Sequence, residues 1–176
     1  MLGAVLLYVG VVLITNGVAR LTNIDPKSTA IMNLFTGGLS IVMNFGSLLI
    51  AQAQSPNSMG PYYASATGLL FGFTYLFIGI NGIFNLDGRI FAWYSLYVTI
   101  TTIPAGILQW GDGTNRYNVM MAIIWWLWGV LWVTAWIEIV LKIDLKKFTP
   151  WLSILEGVLT AWIPGFLIMT NIWIMS

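Results

Sequence analysis

Apolar residues run along the chain in six long blocks, at residues 2–18, 30–51, 64–84, 90–108, 119–141 and 151–173, with short polar stretches between them. Each block is roughly 17 to 23 residues long, close to the 20 or so that a helix needs to cross the hydrocarbon core of a bilayer. The pattern predicts an all-α integral membrane protein of six transmembrane helices. The first block lacks the small-residue cleavage pattern of a signal peptide and is read as a retained span. The polar turns at residues 55–60 and 112–118 are short, and no connection could separate a second domain. Residues 1–176 are therefore expected to form a single six-helix membrane domain.

The basic residues are distributed unevenly between the two sides. Arg20, Lys27, Arg89, Lys142, Lys146 and Lys147 follow the first, third and fifth blocks, while the other side carries Arg116. By the positive-inside rule, both termini are expected to face outward. The same three loops repeat a short motif of apolar, Asp, any residue, basic: Ile24-Asp25-Pro26-Lys27, Leu86-Asp87-Gly88-Arg89 and Ile143-Asp144-Leu145-Lys146. The simplest account is three pseudo-repeated helical hairpins running in parallel. Asp25 before Pro26 and Thr149 before Pro150 are expected to cap the second and sixth helices. Pro104 and Pro164 each remove a helical hydrogen bond and should bend their helices. Gly68 and Gly72 give the third helix a smooth face for close packing.

The fifth block concentrates the aromatic residues. Residues 123–138 hold five tryptophans and end on Glu138, and Trp125, Trp128 and Trp132 recur at spacings of three and four on one helical face. Tryptophans of membrane proteins usually gather at the two interfaces, so a stripe through the middle of a span suggests the lining of something narrow. A dry, packed core is the alternative. Trp126 and Trp136 point elsewhere and are assigned to packing or lipid contact. Counting back from Asn16, Asn81 and Glu138, large side chains recur at matching depths. Leu6, Phe71 and Trp128 stand ten residues back, Gly10, Tyr75 and Trp132 six back, and Trp125 thirteen back near the level of Leu2 and Gly68.

Composition narrows the chemistry. The chain is 59% hydrophobic and 7% charged, with a net charge of +1 and a mean hydropathy of +0.86. Such a chain is not an ordinary soluble domain, and it offers no basic surface for nucleic acid. It contains neither Cys nor His, so disulfides, zinc sites, axial haem histidines and histidine pH sensing are excluded. No metal or cofactor is expected. No nucleophile and base share a level, and no Gly-rich phosphate loop follows a strand, so an enzyme is not indicated.

An uncharged aromatic interior would strip an ion of its hydration without replacing it, whereas a small neutral solute escapes most of that cost. A planar molecule could lie between indole and phenol faces, with the Tyr75 hydroxyl and Trp N–H groups as partners. Glu156 lies seven residues beyond Thr149, about 10 Å along its helix. A carboxyl at that depth is costly unless it is paired, protonated or facing water, which makes it a functional candidate. Glu138 stands at helical spacing from Lys142, with which an ion pair is expected.

The blocks MLGAVLLYVGVVLITNG, LTNIDPKSTAIMN, ATGLLFGFTYLF, AIIWWLWGVLW and KFTPWLSILEGVLTAWIP resemble the bacterial UreI and AmiS family of urea and amide channels. The resemblance covers nearly the whole chain. It implies six membrane helices with both termini outside, a homohexamer with one pore per protomer, and residence in the bacterial cytoplasmic membrane. It also implies passive passage of urea to a cytoplasmic urease, or of short aliphatic amides to an amidase. Carried over by position, the family's pore residues fall on Leu2, Leu6, Phe71 and Trp125 at an outer constriction. Val9, Leu13, Tyr75, Trp128, Trp132 and Glu156 fall at an inner one. Family members usually carry a Trp where this chain has Met121, which implies a wider or softer outer mouth. The acid-activated gastric members carry a long outer loop and several outward histidines that this chain lacks. The resemblance is therefore to a channel not gated by acid. The alternatives are an amide channel, a proton-coupled carrier using Glu156, and a structural membrane subunit.

Overall fold

The computed structural model describes residues 2–54 and 56–173; Ser55 of the expected polar turn lies outside them. The helices are α1 (Leu2–Thr22), α2 (Pro26–Gln54), α3 (Met59–Phe84), α4 (Arg89–Trp110), α5 (Arg116–Ile139), α6 (Phe148–Glu156) and α7 (Ile163–Met169). A π-helical segment, Gly157–Trp162, joins α6 to α7. Together these three pieces make the sixth of six helices long and apolar enough to cross a membrane. The chain is a multi-pass, all-helical membrane protein, and no strand occurs among the described residues. Every span outruns its apolar block at one end or both, because helix continues through flanking polar residues once the apolar centre has nucleated it.

The repeated motif has a repeated structure. In each loop the Asp carboxylate accepts a hydrogen bond from the backbone N–H two residues on: Lys27 to Asp25 at 2.9 Å, Arg89 to Asp87 at 3.0 Å and Lys146 to Asp144 at 2.7 Å. Two residues before each Asp, the backbone turns left-handed at Asn23, Asn85 and Lys142. An Asp can close such a turn on its own backbone, which explains why Asp recurs there. Asp25 thus precedes α2 as expected. The sixth span differs, because α6 starts at Phe148, two residues earlier than a Thr149 cap allows, and the buried Thr149 hydroxyl has no hydrogen-bond partner among the described residues.

Close packing pairs the helices in an order that hydropathy does not indicate. The most extensive contacts run between α2 and α3, between α4 and α5, and between α1 and the sixth span, while the helices that share an Asp turn touch much less. Each odd helix makes its close approach through a glycine 15 residues before its turn Asp: Gly10, Gly72 and Gly129. A Cβ added at these positions would lie 2.4 Å from the Trp162 nitrogen, 2.9 Å from Ile41 Cγ1 and 2.3 Å from Thr102 Oγ1 respectively. Gly68, packed on Asn44, extends the same face of α3. Small residues let backbones approach closely where lipid supplies no hydrophobic drive between helices. Helices joined by an Asp turn thus pack mainly on other neighbours, and a cavity lies among them toward the turn end.

The prolines are accommodated differently. α4 continues through Pro104, whereas the π segment ends at Trp162, two residues before Pro164. A widened turn takes up the hydrogen bond that Pro cannot make. Trp126 stacks on Trp110 with centroids 5.8 Å apart, and Trp136 meets Trp93 at 5.9 Å. Both tryptophans thus pack on a neighbouring indole, one of the two roles expected of them.

Candidate functional site

The turns fix a register for the interior. Leu13, Tyr75 and Trp132 each stand 12 residues before their turn Asp, and Val9, Phe71 and Trp128 each stand 16 before it. Counting from Asn16, Asn81 and Glu138 instead shifts α1 by three residues, about one turn, because Asn16 lies further from Asp25 than its counterparts lie from theirs. Val9, rather than Leu6, therefore shares the level of Phe71 and Trp128. Leu6 shares that of Gly68 and Trp125, and Gly10 belongs with the packing glycines.

The candidate residues converge. Leu6, Val9, Leu13, Phe71, Tyr75, Trp125, Trp128 and Trp132 belong to one buried cluster. Phe71 is its hub, with ring centroids 4.7 Å from Trp128, 4.9 Å from Trp132 and 6.1 Å from Trp125. It thus packs more closely on the two tryptophans expected at the inner level than on the one expected beside it at the outer level. Trp125 meets Trp128 edge to face at 5.3 Å. Such tilted arrangements are preferred over face-to-face stacking by the ring quadrupoles.

Two indoles are fixed by hydrogen bonds. Trp132 Nε1 donates to Thr74 Oγ1 at 3.0 Å, and Trp128 Nε1 donates to Thr160 Oγ1 at 2.9 Å. Thr74 and Thr160 in turn donate to the carbonyls of Leu70 and Glu156, one helical turn back. These N–H groups are therefore committed within the protein and not free for a solute, contrary to the expectation for tryptophan. Among the described residues, the Tyr75 hydroxyl makes no such bond. Thr74 and Thr160 were not singled out in the sequence, where a lone Thr in an apolar helix carries no distinguishing signal.

Below the aromatic cluster, a cavity of about 730 Å³ opens toward the Asp turns. Leu13, Tyr75 and Trp132 line it, and Phe71 and Trp128 close its far end. Its polar surface includes Asn16, Asn33, Thr149 and Ser153. Asn16 and Asn33 exchange reciprocal amide hydrogen bonds of 2.9 and 2.7 Å, and Ser153 Oγ donates to the Leu13 carbonyl at 2.8 Å. Beyond Phe71 the interior is filled by Leu6, Val9 and Trp125 together with Tyr117 and Met121. Met121 is only 4% exposed, so this end is packed. Leu2, at the helix tip, is 39% exposed and stands apart from the cluster.

Glu156 ends α6 where the π segment begins. It is 3% exposed, and neither carboxylate oxygen has a hydrogen-bond partner among the described residues. It lies near enough to Tyr75 for the two groups to interact electrostatically, although it does not line the cavity. Of the conditions that would make a carboxyl tolerable at that depth, pairing is not seen among the described residues. A buried, unpaired carboxylate is far costlier than a neutral carboxyl, so the protonated form fits this environment.

Glu138 does not pair with Lys142. α5 ends at Ile139 and Lys142 adopts a left-handed conformation, which carries it off the helical face. Arg20 takes its place, with Nη1 donating to Oε2 at 2.9 Å and Nη2 to Oε1 at 2.8 Å. The two residues stand 118 positions apart, so no local spacing could reveal the pair.

The comparisons agree with this architecture. The chain is 51% identical over 195 aligned residues to the acid-activated urea channel of Helicobacter pylori, an alignment taking in 99% of this chain and all of that one. It is 35% identical over 172 residues to a protein of Mycolicibacterium smegmatis described as an amidate substrates transporter, covering 97% of this chain and 78% of the relative. The cryo-EM structure of the H. pylori urea channel in its closed state superposes with a TM-score of 0.90, at 52% identity, over 99% of this chain and 100% of that one. These relatives are channels and transporters, not enzymes. With the model of the AmiS/UreI family transporter matching residues 1–172, the chain belongs to that transporter family.

Proposed function

We propose that the protein is a passive channel for urea, open without acid activation, whose solute path runs from Leu2 through the aromatic cluster to the cavity. The observation that carries this reading is the interior itself. A cavity walled at its inner end by the uncharged side chains of Leu13, Tyr75 and Trp132 ends on the rings of Phe71 and Trp128. Among the described residues, its only charged lining is the paired Arg20 and Glu138 at the Asp-turn end. A planar neutral solute fits between such rings and can bond to the free Tyr75 hydroxyl, whereas an ion meets no replacement for its water. Leu2, Leu6, Phe71 and Trp125 form the outer constriction and Val9, Leu13, Tyr75, Trp128, Trp132 and Glu156 the inner one.

Two observations support the absence of an acid gate. The chain has no histidine. Its alignment with the acid-activated relative spans 195 positions, more than its own 176 residues, so that relative carries residues with no counterpart here. Short aliphatic amides are the second reading, favoured by the similarity to the amidate transporter. A proton-coupled carrier is a third, resting on the unpartnered Glu156 carboxyl. It requires a pH gradient to drive solute uphill. A purely structural subunit predicts no permeability.

The basic residues of the Asp turns support an orientation with those turns in the cytoplasm, both termini outside, and the bacterial inner membrane as location. Assembly as a homohexamer and supply of urea to a cytoplasmic urease complete the reading. Stopped-flow measurement of urea, acetamide, thiourea and glycerol flux into proteoliposomes tests it. Urea flux well above that of protein-free vesicles is expected, with glycerol excluded.

A further inference from the structure

The path described above makes no use of the Arg20–Glu138 ion pair, yet the pair occupies a particular place. Both residues line the large cavity, and both also line a shallow groove on the surface with Ile139, Lys142 and Asp144. The pair thus stands on the rim of the cavity at the Asp-turn end, between it and the surface groove. It joins two separately packed units, since α1 packs on the sixth span and α5 on α4, and α1 with α5 is not among the closely packed pairs.

Local chemistry keeps the pair formed. Glu138 lies in the last turn of α5, where the helix dipole disfavours a carboxylate, whereas Arg20 in the last turn of α1 is favoured. Glu138 therefore needs a cation. The planar guanidinium supplies two parallel bonds to it, a fork that a lysine ammonium does not reproduce. The Arg20 side chain is 47% exposed and that of Glu138 16%, so dissolved salt reaches the contact. The neighbouring charges, Asp144 and Lys142, sit on its outer side and do not enter the cavity lining.

We infer that the Arg20–Glu138 pair is a clamp across the Asp-turn mouth that limits the size of solute able to leave the cavity there. It is a specificity-determining contact, which rests on the reading of the chain as a urea or amide channel. Urea passes the clamped mouth, while a longer aliphatic amide requires α1 and α5 to separate.

The test uses the full-length protein in proteoliposomes, with stopped-flow flux of urea, acetamide and butyramide. Arg20→Gln and Glu138→Gln are each expected to raise the butyramide-to-urea flux ratio about threefold, in keeping with the worth of a partly exposed ion pair. The charge swap R20E/E138R is expected to return the ratio toward the wild-type value. Raising external and internal NaCl to about 1 M should raise the ratio of the wild type but not of the single variants. The wild-type salt dependence needs no variant to fold. A ratio that is unchanged in the single variants and insensitive to salt in the wild type overturns the clamp, as does a swap that behaves like the single variants. Wild-type protein that passes none of the three solutes overturns the channel reading, and the clamp with it.

Discussion

Two walls of the interior share one register and differ in chemistry. At the level 12 residues before the turn Asp, α1 presents Leu13 and α5 presents Trp132; one turn further, α1 presents Val9 and α5 presents Trp128. The aromatic wall is held by side-chain bonds, through Thr74 and Thr160. The aliphatic wall is held by backbone proximity, through Gly3, Gly10 and Gly17 against the sixth span. The difference shows how one repeated hairpin can serve two purposes. Large planar groups recognise a planar solute only if their rings are kept from turning, and aliphatic groups define a width only if their helix is kept from moving. α3 lies between these cases, with Phe71 and Tyr75 at the same two levels.

The largest expected effect comes from removing the aromatic wall. Trp132→Ala should lower the discrimination of urea over glycerol by roughly tenfold, the worth of one well-placed binding contact. Trp126→Ala, whose ring stacks on Trp110 away from the interior, should leave it unchanged after correction for folded protein. Equal effects of the two substitutions would remove the distinction between lining and packing tryptophans.

The aliphatic wall should fail differently, in stability before selectivity. Gly10→Ala drives a Cβ into the Trp162 backbone and should cost about 1–3 kcal/mol by overpacking. Gly129→Ala meets the Thr102 hydroxyl, a side chain that can rotate aside, and should cost less. Thermal melts in detergent rank the two, and the reverse order would contradict a backbone-set wall. A comparable loss of stability, about 1–3 kcal/mol, is expected from Thr74→Val, which leaves the Trp132 N–H unpartnered. Its urea flux should change severalfold less than that of Trp132→Ala.

Much of this comparison was legible in the sequence and some was not, for physical reasons. The spans follow from apolar block length, and Trp125, Trp128 and Trp132 follow from a helical period on an otherwise featureless segment. The Asp motif announced a repeat, but the level of α1 depended on which anchor was counted from. Only the shared turn geometry at Asp25, Asp87 and Asp144 chooses between them. The pairing of α1 with the sixth span and the Arg20–Glu138 bond escaped detection because spans apolar on all sides carry no periodic clue to their neighbours. Thr149 misled as a cap because its position before Pro150 is a local signal, which the earlier helix start at Phe148 overrode.

Glu156 and pH sharpen the comparison at its weakest expected effect. Glu156→Gln should shift the urea-to-acetamide ratio by a few-fold, the scale of one polar contact beside Tyr75. Normal flux and selectivity in that variant would leave Glu156 without a role. The exposed turn carboxylates should not act as sensors. Hydrogen bonds from Arg89 hold Asp87 down to about 2, and backbone and side-chain bonds from Thr114 lower Asp112 as well. A depressed carboxylate contributes its stability above its unfolded value, near 4, and loses it only as pH falls through its folded value. For Asp87 that window lies between about 4 and 2. Urea flux should accordingly vary less than about twofold between pH 5 and 7.5, and a several-fold rise on acidification would contradict the ungated assignment.

The most direct measurement is stopped-flow urea and glycerol flux in proteoliposomes of the wild type and Trp132→Ala, with equal pH on both sides. A passive channel with an aromatic selectivity wall predicts rapid, non-concentrative urea flux in the wild type, excluded glycerol, and a collapse of that discrimination in the variant. Urea accumulating only under an imposed pH gradient, or wild-type flux no greater than that of empty vesicles, would contradict it.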